Sequence, residues 1–209
     1  MKKLLIAATI VSSLASLPAM AATKGNYLGI DLLATNFKLP DGTITPDGKF
    51  GTQSRVYPGI GVDYKYAVNS NSKGFFLAHD FFFDYNHVVI ENDYRKLSVD
   101  YSAGLKWQLG YDITDKFAIF GSFGGQIAHF KAEEKVDGQN VLTGNDEKGA
   151  DTDSFYIPSL VYGGGLKYSV MQNVDLSLTY DYVDVPMFTA YHLREFNPQV
   201  YKLGLAYNF

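Results

Sequence analysis

The sequence predicts an all-β protein: an eight-stranded antiparallel up-and-down β-barrel that crosses a membrane. Three observations carry that prediction. Large apolar residues alternate with small or polar ones through eight separate segments. The connections between those segments run long, short, long, short, long, short, long. The chain finishes on a strand pattern, YKLGLAYNF, with an aromatic residue last.

The elements follow in order. Met1-Lys2-Lys3 is basic, Leu4 to Leu17 is apolar with small residues mixed in, and Ala19-Met20-Ala21 fits a small-x-small cleavage site. This predicts a secretory signal peptide over residues 1–21 and a barrel domain over 22–209. The apolar run is too short for a membrane-spanning helix. The first strand is expected near Asn26–Phe37, with Leu28, Ile30 and Leu32 on one face. In Ser54–Val68, Ile60, Val62, Tyr64 and Tyr66 alternate with Gly59, Gly61, Asp63 and Lys65. In Gly74–Asn86, Phe75, Leu77, Phe81, Phe83 and Tyr85 oppose Ala78, Asp80 and Asp84. In Leu97–Tyr111, Val99, Tyr101, Ala103, Leu105, Trp107, Leu109 and Tyr111 oppose Asp100, Ser102, Gly104, Lys106 and Gln108. Lys116–Phe130 is less regular, but Phe117, Ile119, Phe123 and Ile127 share a face. Phe155–Val170 and Val174–Asp184 alternate cleanly, and the last strand ends at Phe209.

Long connections are expected at 39–53, 87–96, 131–153 and 186–197, and short ones at 69–73, 112–115 and 171–173. Short turns on the periplasmic side and long loops outside are what an up-and-down membrane barrel requires. Closure pairs the last strand with the first, so no strand edge is left unpaired in the bilayer.

Orientation of the two faces follows from size. An eight-stranded barrel has a lumen just wide enough to be filled by side chains. The small and charged set suits that lumen, and the bulky set suits lipid. The fold-level rival is a soluble, lipocalin-like barrel with an apolar interior. With short turns periplasmic, Tyr64, Tyr66, Trp107, Tyr111 and Tyr168 fall near that interface, where amphipathic rings are favoured. Phe83, Tyr85, Tyr101, Tyr182 and Tyr201 fall near the other.

Composition excludes several functions. Without Lys2 and Lys3 the chain carries 16 basic residues (18 less 2) against 22 acidic ones, a net charge of −6. That argues against a nucleic-acid partner. Cysteine is absent, which removes thiol catalysis and thiolate metal sites.

These features resemble the small Gram-negative outer-membrane β-barrel family: the OmpA transmembrane domain, OmpX and opacity-type proteins, and the porin-family surface proteins that include rickettsia-type adhesins. The resemblance covers Ala22–Phe209. It implies that Tyr201, Leu203, Leu205, Tyr207 and Phe209 form the C-terminal signal read by the barrel-assembly machinery. Gly29, Gly61, Gly104, Gly165 and Gly204 occupy strand settings where such barrels place glycine. No peptidoglycan-binding domain is expected after Phe209. Outer-membrane lipid and an extracellular or host protein are the implied partners, and no cofactor is implied.

The predicted lumen face carries Asp31, Asp63, Lys65, Asp80, Asp84, Asp100, Lys106, Lys167, Asp175, Asp181 and Lys202. Buried charges survive only when paired, so a salt-bridge network filling the barrel is expected. The alternative is a narrow ion-conducting pore. An outer-membrane lipid-modifying enzyme is a further alternative; it requires a His–Ser or His–Asp pair at the outer rim. His79 falls on the lipid face, and His87, His129 and His192 near outer strand ends. Asp146, Glu147, Asp151 and Asp153 in the acidic loop could share a hard cation, but their spacing matches no EF-hand; a solvated loop is the plain reading. Met187, Phe188, Tyr191, Arg194 and Phe196 have the composition of interface centres, and packing on the barrel mouth is the competing reading. The expected role is a surface protein that presents its loops for adhesion.

Overall fold

The computed structural model describes residues 25–39, 43–45, 48–50, 53–69, 74–91, 95–136, 139–140, 153–185 and 197–209. Among the described residues eleven strands run in chain order: β1 Gly25–Leu39, β2 Thr43–Thr45, β3 Gly48–Phe50, β4 Gln53–Asn69, β5 Phe75–Glu91, β6 Arg95–Asp112, β7 Phe117–Val136, β8 Gln139–Asn140, β9 Asp153–Met171, β10 Val174–Asp184 and β11 Gln199–Asn208. Eight of them close a barrel in the order β1-β4-β5-β6-β7-β9-β10-β11, every neighbour antiparallel. β2 and β3 pair with each other in the first long connection, and β8 pairs with the end of β7.

Closure is made by β1 and β11, in register from Tyr27↔Asn208 to Asn36↔Gln199. The Phe209 amide donates to the Asn26 carbonyl at 3.0 Å, so the hydrogen-bond ladder reaches the final residue. At the same end Gly74, with φ +81, immediately precedes β5; its carbonyl accepts the Asp112 amide at 2.8 Å. Thr114 closes the β6–β7 turn by accepting the Lys116 and Phe117 amides on Oγ1 at 3.2 and 3.0 Å.

The two faces differ sharply. On the outer wall Leu32 is 64% exposed and Leu109 65%, while inside Lys106 is 2% exposed. Tyr64, Tyr66, Trp107 and Tyr111 are exposed on the outer wall, and Tyr168 is half-buried there. His79 lies on that wall too, in a cross-strand row between Tyr66 and Trp107. An imidazole at the level of Tyr and Trp has the same apolar body and polar tip as its neighbours.

Three differences from the sequence expectations have local causes. The connection expected at 87–96 is mostly strand, because Val88, Val89 and Ile90 continue the ladder against Val99, Ser98 and Leu97. β7 likewise runs on to Val136, into residues expected to be loop. The lumen is also less purely polar than expected. Tyr27, Phe76, Ala78 and Ala206 form an apolar layer at the periplasmic end, and Val88, Phe130 and Ile157 form one toward the loop end.

Candidate functional site

Most of the interior charges sit between those apolar layers, while Lys167 reaches into the layer of Tyr27 and Phe76, its Nζ 5.3 and 5.4 Å from their ring centroids. Asp31, Asp63, Lys65, Asp80, Asp84, Lys106, Lys167, Asp175, Asp181 and Lys202 all lie inside the barrel. Lys106 Nζ is 2.8 Å from Asp181 and 3.6 Å from Asp80. Lys202 Nζ is 2.6 Å from Asp84 and 3.9 Å from Asp181. Asp80 also accepts from Gln108 Nε2 at 2.8 Å. The Phe82 ring joins the two ammonium groups, with its centroid 4.9 Å from Lys106 Nζ and 4.6 Å from Lys202 Nζ. Together these side chains form a septum across the mid-lumen. Lys65 pairs with Asp63 at 2.9 Å. Nearer the periplasm Lys167 pairs with Asp175 at 3.3 Å, which also accepts from Ser169 Oγ at 2.7 Å.

Glycine makes this packing possible. Asp63 faces Gly29, Asp84 faces Gly61, and Asp181 faces Gly163 on the neighbouring strand. A Cβ at any of these glycines would strike the facing carboxylate. The interior aromatics use the same device: a Cβ at Gly104 would strike Phe82, and one at Gly110 would strike Phe76. The alternation of Gly and Asp along the strands was visible in the sequence. Which Asp meets which Lys was not, because that depends on strand stagger.

Two small cavities flank the septum. One of about 40 Å³ lies toward the loops; Thr35 Oγ1, Asp84 Oδ1, Asn86 Oδ1 and Ser159 Oγ on its lining have no protein hydrogen-bond partner. The other, of about 30 Å³, lies toward the periplasm among Tyr27, Phe76, Gln108 and Lys167.

Asp100 is a correction. It does not join the lumen network. β6 carries one extra residue against β7, because Val99 pairs with Phe130 and Tyr101 with His129. This bulge slips the alternation by one position. Val99, expected outside, packs against the interior cluster of Val88 and Phe130. Asp100 turns to the outer wall, where it meets Lys131 at 2.6 Å, His87 at 3.3 Å and His129 at 3.7 Å. No residue type signals the bulge, so sequence periodicity missed it.

Several expected features lie outside the described residues: Met187, Phe188, Tyr191, Arg194 and Phe196, together with His192, and Asp146, Glu147 and Asp151 of the acidic loop. The C-terminal Tyr201, Leu203, Leu205, Tyr207 and Phe209 all lie on the outer wall and are exposed. Among the described residues no His, Asp and Glu cluster could hold a metal ion.

A closed barrel with an apolar outer wall and an ionic interior defines a class: the transmembrane β-barrel of the bacterial outer membrane. This chain belongs to the outer-membrane β-barrel protein family, since the model of the outer membrane protein beta-barrel domain matches residues 7–209. Among solved structures it is similar to Ail, the attachment invasion locus protein of Yersinia pestis, with 15% identity, a TM-score of 0.55, and coverage of 89% of this chain and 99% of that one. It is also similar to Neisserial surface protein A, with 18% identity, a TM-score of 0.50, and coverage of 89% and 98%. At such identities the likeness is one of fold. No curated protein matches the sequence.

Proposed function

We propose that this protein is a non-enzymatic surface scaffold. Residues 1–21 direct export, the terminal Tyr201–Phe209 strand is read by the assembly machinery, and the barrel holds its long loops at fixed separation for an extracellular or host partner. The observation that carries this reading is the septum. Two lysines, three aspartates and Phe82 occupy the mid-lumen. The cavities on either side have room for only a few water molecules each. With the lumen filled, the loops are what remains to act. Ail supports the class of activity: one of its structures is a complex with the heparin analogue sucrose octasulfate. The partner here differs in charge from a polysulfate. Lys131–Asp153 has seven acidic residues against three lysines, so a neutral or basic protein surface is the better match.

The enzyme alternative gains one feature from the structure, since Asp100 meets two histidines at the outer rim. Among the described residues neither His87 nor His129 hydrogen-bonds a serine, so the pair has no nucleophile beside it there. The test is electrical. The chain would be folded into detergent, its fold checked by the gel shift between unboiled and boiled samples, and conductance recorded in planar bilayers. A folded protein without steady channels is expected. Resolvable single channels would overturn the plug and put solute passage first.

A further inference from the structure

The outer wall of β6, β7 and β9 carries a dent. Phe81, Ala103, Leu105, Ile127, Pro158 and Leu160 surround an open apolar groove of about 730 Å³, which Asp184 closes on the β10 side. Its floor is Gly125, which points outward on β7 opposite Leu105 and Leu160. The barrel does not need glycine there. A Cβ at Gly125 would meet only the Ser159 carbonyl oxygen, at 3.7 Å, an ordinary contact. This contrasts with the interior Gly124 and Gly163, where a Cβ would collide with the backbone of the next strand. The groove is therefore a surface feature and not a by-product of lumen packing.

Directly above it, toward the loops, the same three strands present a polar layer. Tyr101, His129 and Tyr156 form one cross-strand row. His129 is stacked on Tyr101 at 4.8 Å and lies 5.1 Å from Tyr156, and the two tyrosine hydroxyls are 3.0 Å apart. One hydroxyl donates to the other, which leaves one O–H donor unspent. Beyond this row stand Asp100, Lys131 and His87. Asp100 spends Oδ1 on His87 and Oδ2 on Lys131, and its side chain is only 13% exposed. The side chains it anchors are open, Lys131 at 42% and His87 at 60%. What faces outward is therefore the remaining ammonium donors of Lys131 and a tyrosine hydroxyl, while His87 spends its Nδ1–H on Asp100 and so helps to hold the carboxylate in place. A carboxylate that consumes its own acceptors and fixes donors around it makes an anion receptor.

We propose that this wall binds one molecule of the phosphorylated glycolipid of the outer leaflet, with an acyl chain in the Gly125 groove and a phosphate on Lys131 and the Tyr101–Tyr156 hydroxyl pair. The loop end of the barrel places the site in that leaflet. An apolar slot under a layer of N–H and O–H donors matches a lipid with a phosphate at its head.

The experiment uses the folded full barrel in detergent and native mass spectrometry. The probes are bis-phosphorylated lipid A, the same lipid dephosphorylated, and phosphatidylglycerol. One lipid A per barrel is expected, held at least tenfold more tightly than either other lipid. Gly125→Leu, which fills the groove, and Lys131→Gln, which removes the ammonium, should each weaken retention about tenfold. Leu32→Ala on the opposite wall, in β1, should not change it. All three variants are scored only after the gel shift establishes that they fold; if Gly125→Leu does not, Ala103→Leu from the same groove replaces it. Equal retention of dephosphorylated lipid A, tighter retention of phosphatidylglycerol, or unchanged retention in both groove and lysine variants would each overturn the proposal.

Discussion

Replacing Lys106 by methionine removes one charge from the centre of the septum while keeping the length and apolar stem of the side chain. The consequences for its two partners differ. Asp80 keeps its hydrogen bond from Gln108 at 2.8 Å. Asp181 loses its 2.8 Å partner and retains only Lys202 at 3.9 Å, and its Oδ1 already has no hydrogen-bond donor. Asp181 is 2% exposed. Breaking a buried pair from one side costs about 3–5 kcal/mol, because the remaining charge is left uncompensated. Urea slopes of roughly 1–3 kcal/mol per molar then place the fall in midpoint at about 2 M. The assay is urea unfolding in lipid vesicles, followed by the fluorescence of Trp107, the single tryptophan. Lys106→Met combined with Asp181→Asn removes the orphaned charge and should recover roughly half of the loss or more. A single variant within about 0.5 kcal/mol of the parent would refute the reasoning. It would mean that water already hydrates Asp181 in the mid-lumen.

Other expected outcomes test other parts of the molecule. Leu203, at mid-strand in β11 between Leu32 and Leu178, faces lipid; Leu203→Arg should cost about 2–4 kcal/mol and Tyr207→Arg, near the chain end, about 1 or less, read from the same unfolding curves. Gly163→Val puts a branched side chain against the Tyr180 carbonyl and Asp181, and should abolish the heat-modifiable band on gels, whereas Gly121→Val, whose Cβ meets only the Gly163 carbonyl oxygen at 3.9 Å, should keep it. Removing Phe209 deletes the last rung of the β1–β11 closure, the hydrogen bond its amide donates to the Asn26 carbonyl; slower membrane insertion, followed by pulse-chase, is expected.

How much of this was legible in the sequence depends on range. Period-2 patterning is local, so Leu28, Ile30 and Leu32 or Leu203, Leu205 and Tyr207 announce their face without reference to any other strand. Ten of the eleven expected lumen charges are inside for that reason. Partnership is not local. Lys202 meets Asp84 across 118 positions, and Lys106 meets Asp181 across 75. Which strands lie across the lumen from one another depends on how the closed ladder staggers, and no short stretch encodes it. The Gly125 groove escaped for a related reason. A glycine that fits the lumen and one that leaves a dent in the wall read alike until the neighbouring strands are in place.

Asp100 joins these two levels. Without the extra residue in β6, regular alternation would turn its carboxylate inward at the level where Val88, Phe130 and Ile157 form an apolar layer. A carboxylate among those side chains would be a buried charge with no cation beside it, an expensive arrangement. The bulge resolves the conflict by one residue of slippage: Val99 goes in and Asp100 goes out. It also brings Asp100 beside Lys131, His87 and His129, residues from two other strands. Bulges are found where a strand must re-aim a side chain. Here one irregularity completes the apolar layer of the lumen and builds the polar layer of the outer wall, so both layers are consequences of the same residue.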